Sequence, residues 1–232
     1  MSTSSPCVPS RSRRRAVLGI GAALAVAIVG GTAGRSEVSA AEARPIRLVA
    51  LGDSLTAGYA LPKGKGFAPR LEAALKAAGF HVEVIDAGVS GDTTDMGLAR
   101  LDWSVPADAQ AVIVELGAND ALRGLPPAEA RRNLDEIVGR LTRRGQKVLV
   151  AGMLAPRNLG APYVEAFDPI FAEVAKAHGA LLYPFFLDGV ALDPRLVLPD
   201  GLHPSAEGVE VIVARILPSV RDLLVRAGAK AP

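Results

Sequence analysis

Ile46-Arg47-Leu48-Val49-Ala50-Leu51-Gly52-Asp53-Ser54-Leu55 is the stretch that decides how this chain folds. A short, mostly apolar run ending at a glycine has the pattern of a strand buried on both faces, and the polar pair Asp53-Ser54 follows at once. Downstream, Phe67, Leu71, Ala74, Leu75 and Ala78 keep a helical period, with Gly79 placed to stop it. The pattern then recurs. Val82-Glu83-Val84-Ile85-Asp86, Ala111-Val112-Ile113-Val114-Glu115-Leu116 and Lys147-Val148-Leu149-Val150-Ala151 read as second, third and fourth strands. Leu134, Ile137, Val138 and Leu141 mark a helix between the last two, with Pro126-Pro127 before it and Gly145 after it. Asp168-Pro169 suits the cap and first position of a helix ending at His178-Gly179, the alternative being an earlier start near Tyr163 with a kink. Leu181-Leu182-Tyr183 reads as a fifth strand, and Val209, Ile212, Val213, Ile216, Val220 and Leu223 trace a closing helix that Pro218 can bend. Strands alternating with helices predict an α/β fold with a central, mainly parallel five-stranded sheet covered on both faces. Residues 41–232 read as one domain without internal repeats.

The first forty residues read differently. Arg11, Arg13, Arg14 and Arg15 precede an uncharged stretch from Ala16 to Gly31, and Val38-Ser39-Ala40 supplies a small-x-small cleavage signal. This is the pattern of a secretory leader over residues 1–40, and the paired arginines also resemble a twin-arginine export signal. The apolar stretch falls short of the ~20 residues that span a bilayer, so no stable membrane insertion is expected after cleavage. Cys7, the one cysteine of the chain, lies ahead of the apolar stretch and would leave with the leader, so the mature protein has no disulfide, thiolate nucleophile or Cys-bound metal. The predicted location is the periplasm or the exterior. The formal charge of +2 arises from this leader: residues 41–232 hold 21 basic against 23 acidic residues. A basic surface for nucleic acid is therefore not expected. With 50% hydrophobic and 22% charged residues, the chain can bury a full core.

In a parallel sheet every strand ends on the same side, where ligands bind. Gly52-Asp53-Ser54-Leu55 follows the first strand, Gly88-Val89-Ser90-Gly91-Asp92 the second and Gly117-Ala118-Asn119-Asp120 the third. Asp200-Gly201-Leu202-His203-Pro204 adds an acid and an imidazole three residues apart. Acyl transfer requires a nucleophile, a base, a group orienting that base and donors for an oxyanion. Ser54 reads as nucleophile, His203 as base and Asp200 as its orienting carboxylate; the Ser54 N–H and the Asn119 amide read as oxyanion donors. Neither His81, at the start of a strand, nor His178, before a helix-ending glycine, sits in such a turn. Asp53 reads as an acceptor organising its loop, and Asp120 as structural.

These blocks resemble, in order, those of the GDSL or SGNH hydrolases, and the resemblance runs from about Ile46 to Val225. It implies a three-layer, flavodoxin-like fold and ester hydrolysis through an acyl-enzyme. It also implies that the Gly91 N–H serves the oxyanion. Ser54-Leu55-Thr56-Ala57-Gly58-Tyr59 and Ser90-Gly91-Asp92-Thr93-Thr94 are most similar to the small exported bacterial arylesterase, thioesterase and lysophospholipase branch. The Gly-x-Ser-x-Gly elbow of the α/β-hydrolases is missing from the sequence.

Each residue also has a plainer reading. Ser54 could only cap a helix, Asn119-Asp120 could only form a turn, and Gly91 could serve only its loop. Asp200 and His203 are two ligands without a third, and Asp92, Asp95 and Asp102 are spaced too loosely for a calcium loop, so no metal is expected. The chemistry calls for no cofactor. Leu122, Leu125, Leu154 and Leu159, in loops after the third and fourth strands, are the expected substrate contacts. With only 4% aromatic residues, a small acyl or aryl ester fits better than a glycan. Deacetylation or acyl transfer on a cell-surface glycan and a non-catalytic binding module are the competing readings.

Overall fold

The computed structural model describes residues 44–230, and the expected leader with Cys7 lies outside them. In chain order the elements are β1 (Ile46–Gly52), α1 (Ser54–Ala57), α2 (Phe67–Ala77), β2 (Val82–Gly88), α3 (Thr94–Ala99), α4 (Leu101–Ser104), β3 (Ala111–Glu115), α5 (Ala118–Leu122), α6 (Pro127–Arg143), β4 (Lys147–Ala151), a 3₁₀ turn (Arg157–Leu159), α7 (Ala161–Phe167), α8 (Ile170–Ala177), β5 (Leu181–Tyr183) and α9 (Ala206–Arg226). All five strands run parallel in the order β2-β1-β3-β4-β5. The α2 and α9 helices pack on each other, and α6 packs on α3 and α8, giving helical layers over the sheet. The fold is α/β, as the alternation of strands and helices predicts.

Burial follows strand position. Leu48, Val49, Ala50 and Leu51 of β1 and all of β3 are shielded from water, whereas the edge strand β2 alternates with exposed Glu83 and Asp86. A strand flanked on both edges and covered on both faces has no side on which a polar residue is hydrated. Glu115, the last residue of β3, is nonetheless fully buried. The order 2-1-3 means that the chain leaves β1 in one direction to β2 and returns to the other side for β3. This switch point opens a crevice at the strand ends, and Asp53-Ser54 and Ala118-Asn119 follow the two strands that border it.

The segment 161–177 corrects one reading. The helix takes the earlier start and breaks in two, and Asp168 is helical (φ −58, ψ −36), closing α7 instead of serving as the N-cap of α8. Its carboxylate instead accepts the Ala155 N–H at 2.9 Å and an Arg157 guanidinium N–H at 2.6 Å. Pro169 brings no N–H of its own, which breaks the ladder at that point. Pro218, by contrast, is accommodated inside a continuous α9, on its exposed side.

Between β5 and α9 the chain runs for some twenty residues without a regular helix or strand. It is held by Phe186, which is fully buried with its ring 5.0 Å from that of Phe67 at 77°, and by Phe186 N–H donating to Gly152 O. Loops this long in compact domains are usually functional. Near its end Leu198 N–H donates to His203 O at 2.7 Å and Ser205 N–H to Leu196 O at 2.8 Å, closing the turn that carries Asp200 and His203. Ser205 then caps α9 by accepting the Gly208 N–H.

Candidate active site

Ser54 is the first residue of α1, and the His203 ring comes to it from the far end of the sequence. The Ser54 hydroxyl lies 2.9 Å from His203 Nε2, and His203 Nδ1 lies 2.7 Å from Asp200 Oδ2. The other Asp200 oxygen accepts the N–H groups of His203 (3.0 Å) and Leu202 (2.9 Å). Those two backbone donors hold the Asp200 carboxyl down to about 2, so it is an anion throughout the neutral range. An anionic acceptor fixes the neutral imidazole with its proton on Nδ1, which leaves the Nε2 lone pair facing the serine hydroxyl. Gly201, at φ +71, makes the turn that brings Asp200 beside the ring.

The loops after β2 and β3 meet at Asn119. Its Nδ2 donates to Asp53 Oδ2 and to the Asp92 carbonyl, each at 3.0 Å, so both amide hydrogens are engaged and an oxyanion would share one in a three-centre bond. Gly91, at φ +89, stands in the turn before Asp92, and its carbonyl accepts from Arg123 at 2.7 Å. Among the described residues the N–H groups of Ser54 and Gly91 donate to no protein acceptor. Deeper anchors hold these loops: the buried pair Arg100 and Asp92 at 2.5 Å, with Arg100 also donating to Gly52 O at 2.8 Å, and Asp120, which accepts from the Thr94 backbone and hydroxyl.

Beneath the turn that carries Ser54 lie two fully buried carboxyls. Asp53 accepts the Leu55 N–H (2.9 Å) and the Asn119 amide, and burial pushes its carboxyl up to about 6. Glu115 accepts the Thr56 hydroxyl at 2.7 Å and more distantly the Asp53 N–H (3.4 Å); burial first, and then the Asp53 charge, raise it well above the ordinary carboxylate range. A cavity of about 520 Å³ opens beside Ser54 and His203. Leu122 lines it from α5, Met153 and Leu154 from the loop after β4, and Phe185, Leu187 and Leu192 from the long connection after β5. Among the described residues no three His, Cys, Asp or Glu side chains are placed to hold a metal ion.

Residues 50–211 match the GDSL-like lipase/acylhydrolase family. Esterase TesA of Pseudomonas aeruginosa is 35% identical over 178 residues, 76% of this chain and 89% of TesA. The arylesterase of Vibrio mimicus is 40% identical over 174 residues, 73% of this chain and 86% of the relative. Among solved structures, AlinE4, an SGNH-hydrolase family esterase, superposes with a TM-score of 0.66 at 46% identity, over 78% of this chain and 98% of its own. The chain belongs to the GDSL-like lipase/acylhydrolase family.

For this GDSL-like hydrolase the structure brings Ser54, Asp200, His203, Asn119 and Gly91 to one sheet edge, as the strand ends predict. The expected substrate contacts divide. Leu122 and Leu154 line the cavity, whereas Leu125 and Leu159 do not. The Leu125 backbone closes the turn after α5, its N–H on Asp120 O and its carbonyl accepting the Tyr163 hydroxyl at 2.7 Å, and Leu159 ends the 3₁₀ turn. Each loop turns away from the crevice before those positions are reached. Sequence reasoning also missed the wall after β5, although the length of that connection was its signal. Glu115 gave none, since one acid near the end of an apolar strand carries no local sign of what it packs against.

Proposed function

We propose that this protein is an exported serine esterase in which Ser54 is acylated, His203 moves the proton and Asp200 orients and balances the imidazole. The observation that carries this is the unbroken hydrogen-bonded chain from Ser54 through His203 to the anionic Asp200, at the edge of an apolar cavity. The Ser54 oxygen attacks the ester carbonyl while its proton passes to His203 Nε2, and the carbonyl oxygen becomes an oxyanion facing the Ser54 and Gly91 N–H groups and the Asn119 amide. Collapse expels the alcohol, which takes the proton back from Nε2. Water then attacks the acyl-serine with the same base, releasing the acid and restoring Ser54.

The lining supports acyl and aryl groups as substrate parts, since it is built from aliphatic side chains with Phe185 as its one phenyl ring. The relatives named arylesterase and thioesterase 1/lysophospholipase L1 agree with carboxylic esters and with thioesters as a further class. The leader-like pattern of residues 1–40 supports export, and no described helix is long and apolar enough to cross a membrane. Incubation with a fluorophosphonate followed by intact mass spectrometry tests the nucleophile. A single adduct on Ser54, absent from Ser54→Ala, together with loss of aryl-ester turnover in that folded variant, is expected. An unlabelled, folded wild type would refute the reading.

A further inference from the structure

One aromatic ring touches the base without lining the cavity. Tyr59 lies with its ring centroid 4.4 Å from that of His203, the planes inclined by 34°. It is half exposed, at 49%, so it is not there to fill the core, and its hydroxyl has no hydrogen-bond partner among the described residues. Its backbone shows why it sits where it does. The Tyr59 N–H donates to the Ser54 carbonyl at 3.1 Å, so the residue that covers the base is tied to the nucleophile's own backbone. It stands between two left-handed residues, Gly58 at φ +71 and Ala60 at φ +57. Ala60 carries a side chain in a conformation that ordinarily favours glycine, and such strain persists only where the surroundings enforce it. The turn packs closely on the segment before α2: a Cβ at Gly58 would lie 2.7 Å from the Gly66 Cα, so only glycine fits there.

We propose that Tyr59 is a positioning residue for the reaction: its ring holds the His203 imidazole against Ser54 and stabilises the imidazolium formed during attack. The proposal rests on the serine esterase reading. Around the imidazole, Asp200 engages Nδ1, Ser54 engages Nε2 and Asp53 acts from behind the nucleophile, which leaves a ring face for Tyr59. Two hydrogen bonds fix the imidazole edge but leave it free to rock about the line joining them; a plate on its face removes that freedom. When the Ser54 proton reaches Nε2, the ring gains a positive charge beside the electron-rich face of the tyrosine. That charge is absent while substrate is merely bound. The effect therefore falls on kcat and not on KM.

Steady-state hydrolysis of a short aryl ester tests this with wild type, Tyr59→Phe, Tyr59→Leu, His203→Ala and the double variant Tyr59→Leu/His203→Ala. We expect Tyr59→Phe to stay within about twofold of wild type. Tyr59→Leu should lose roughly 3- to 30-fold in kcat at unchanged KM and Tm. In the His203→Ala background the same change should cost nothing further, since the residue acts through the base. Should Tyr59→Leu fold poorly, Tyr59→Met gives the same comparison. The proposal is overturned by a Tyr59→Leu enzyme with full kcat, by a loss carried in KM, or by an equal loss without His203. Those outcomes leave the esterase reading intact; a wild-type rate in His203→Ala, in place of the small residual rate on which the double variant is compared, would remove both.

Discussion

Asp53 shows how one residue acquires a role that its neighbours dictate. As an acid after a strand it reads as a loop acceptor, and it does accept the Leu55 N–H as the cap of α1. Its other oxygen, however, holds the Asn119 amide, and its burial above the equally buried Glu115 makes its ionisation costly. The carboxyl rises from 3.8 to about 6 in the folded protein. With the folded value above the unfolded one, the folded state binds the proton more tightly. The stability Asp53 contributes is therefore greatest below about pH 4 and is lost as pH rises through 6, a change of roughly 3 kcal/mol from a shift of about two units. Asp53→Asn removes the titration. We expect the stability of that variant relative to wild type to increase between pH 4 and pH 6.5 and then level off, measured by urea unfolding at each pH; a pH-independent difference would place the titration elsewhere. Ser54 and His203 were legible as a pair to look for, because few residue types can be nucleophile or base, and the structure brings them to 2.9 Å. The burial of Glu115 was not, since it depends on which strand β3 neighbours.

At the scale of the element, the short helix α1 is shaped by what lies below it. Gly52 ends β1 where Thr56 of α1 and Glu115 of β3 converge; a Cβ there would come 2.1 Å from the Thr56 Oγ1 and 2.5 Å from Glu115 Oε2. Neither neighbour has room to retreat, since Thr56 and Glu115 are both fully buried and bonded to each other. Gly52→Ala is expected to push α1 outward, costing about 1–3 kcal/mol by overpacking and moving Ser54 Oγ off the His203 Nε2 line. Thermal unfolding combined with the rate of phosphonate labelling reads both effects, and a variant that labelled at the wild-type rate would show that α1 is not so constrained. The strands and α2, α6 and α9 were legible because apolar period and glycine stops are local properties. The break between α7 and α8 falls at Pro169, a local signal, but the role of Asp168 was not decided locally: it could cap, yet Ala155 and Arg157 from another loop claim its carboxylate.

Over the whole molecule, four connections meet around one cavity: the one after β1 supplies Ser54 and Leu55, those after β3 and β4 supply Leu122 and Leu154, and the one after β5 supplies Leu187 and Leu192. If the acyl chain occupies this cavity, its selectivity would belong to the assembly of loops and not to any one motif. Leu122→Ser should raise KM for an octanoyl ester roughly tenfold, from lost apolar contact, and leave the acetyl ester unchanged. Leu125→Ser, outside the cavity, should alter neither. Paired KM measurements on the two esters check this, and equal effects of both variants would mean that the cavity is not where the acyl chain lies. By itself the sequence determined the α/β alternation, the parallel sheet and the set of groups able to perform acyl transfer, because hydrophobic period and chemical type are carried by each segment alone. Only the tertiary structure decided that His203, 149 positions from Ser54, points its Nε2 at the hydroxyl. It also decided that Asn119 spends both hydrogens on other loops, and that Leu122 but not Leu125 faces the cavity. Those outcomes depend on the strand order 2-1-3-4-5 and on the path of each loop across the sheet edge. That path is set by which buried acceptors and apolar surfaces each loop satisfies, and these belong to distant parts of the chain.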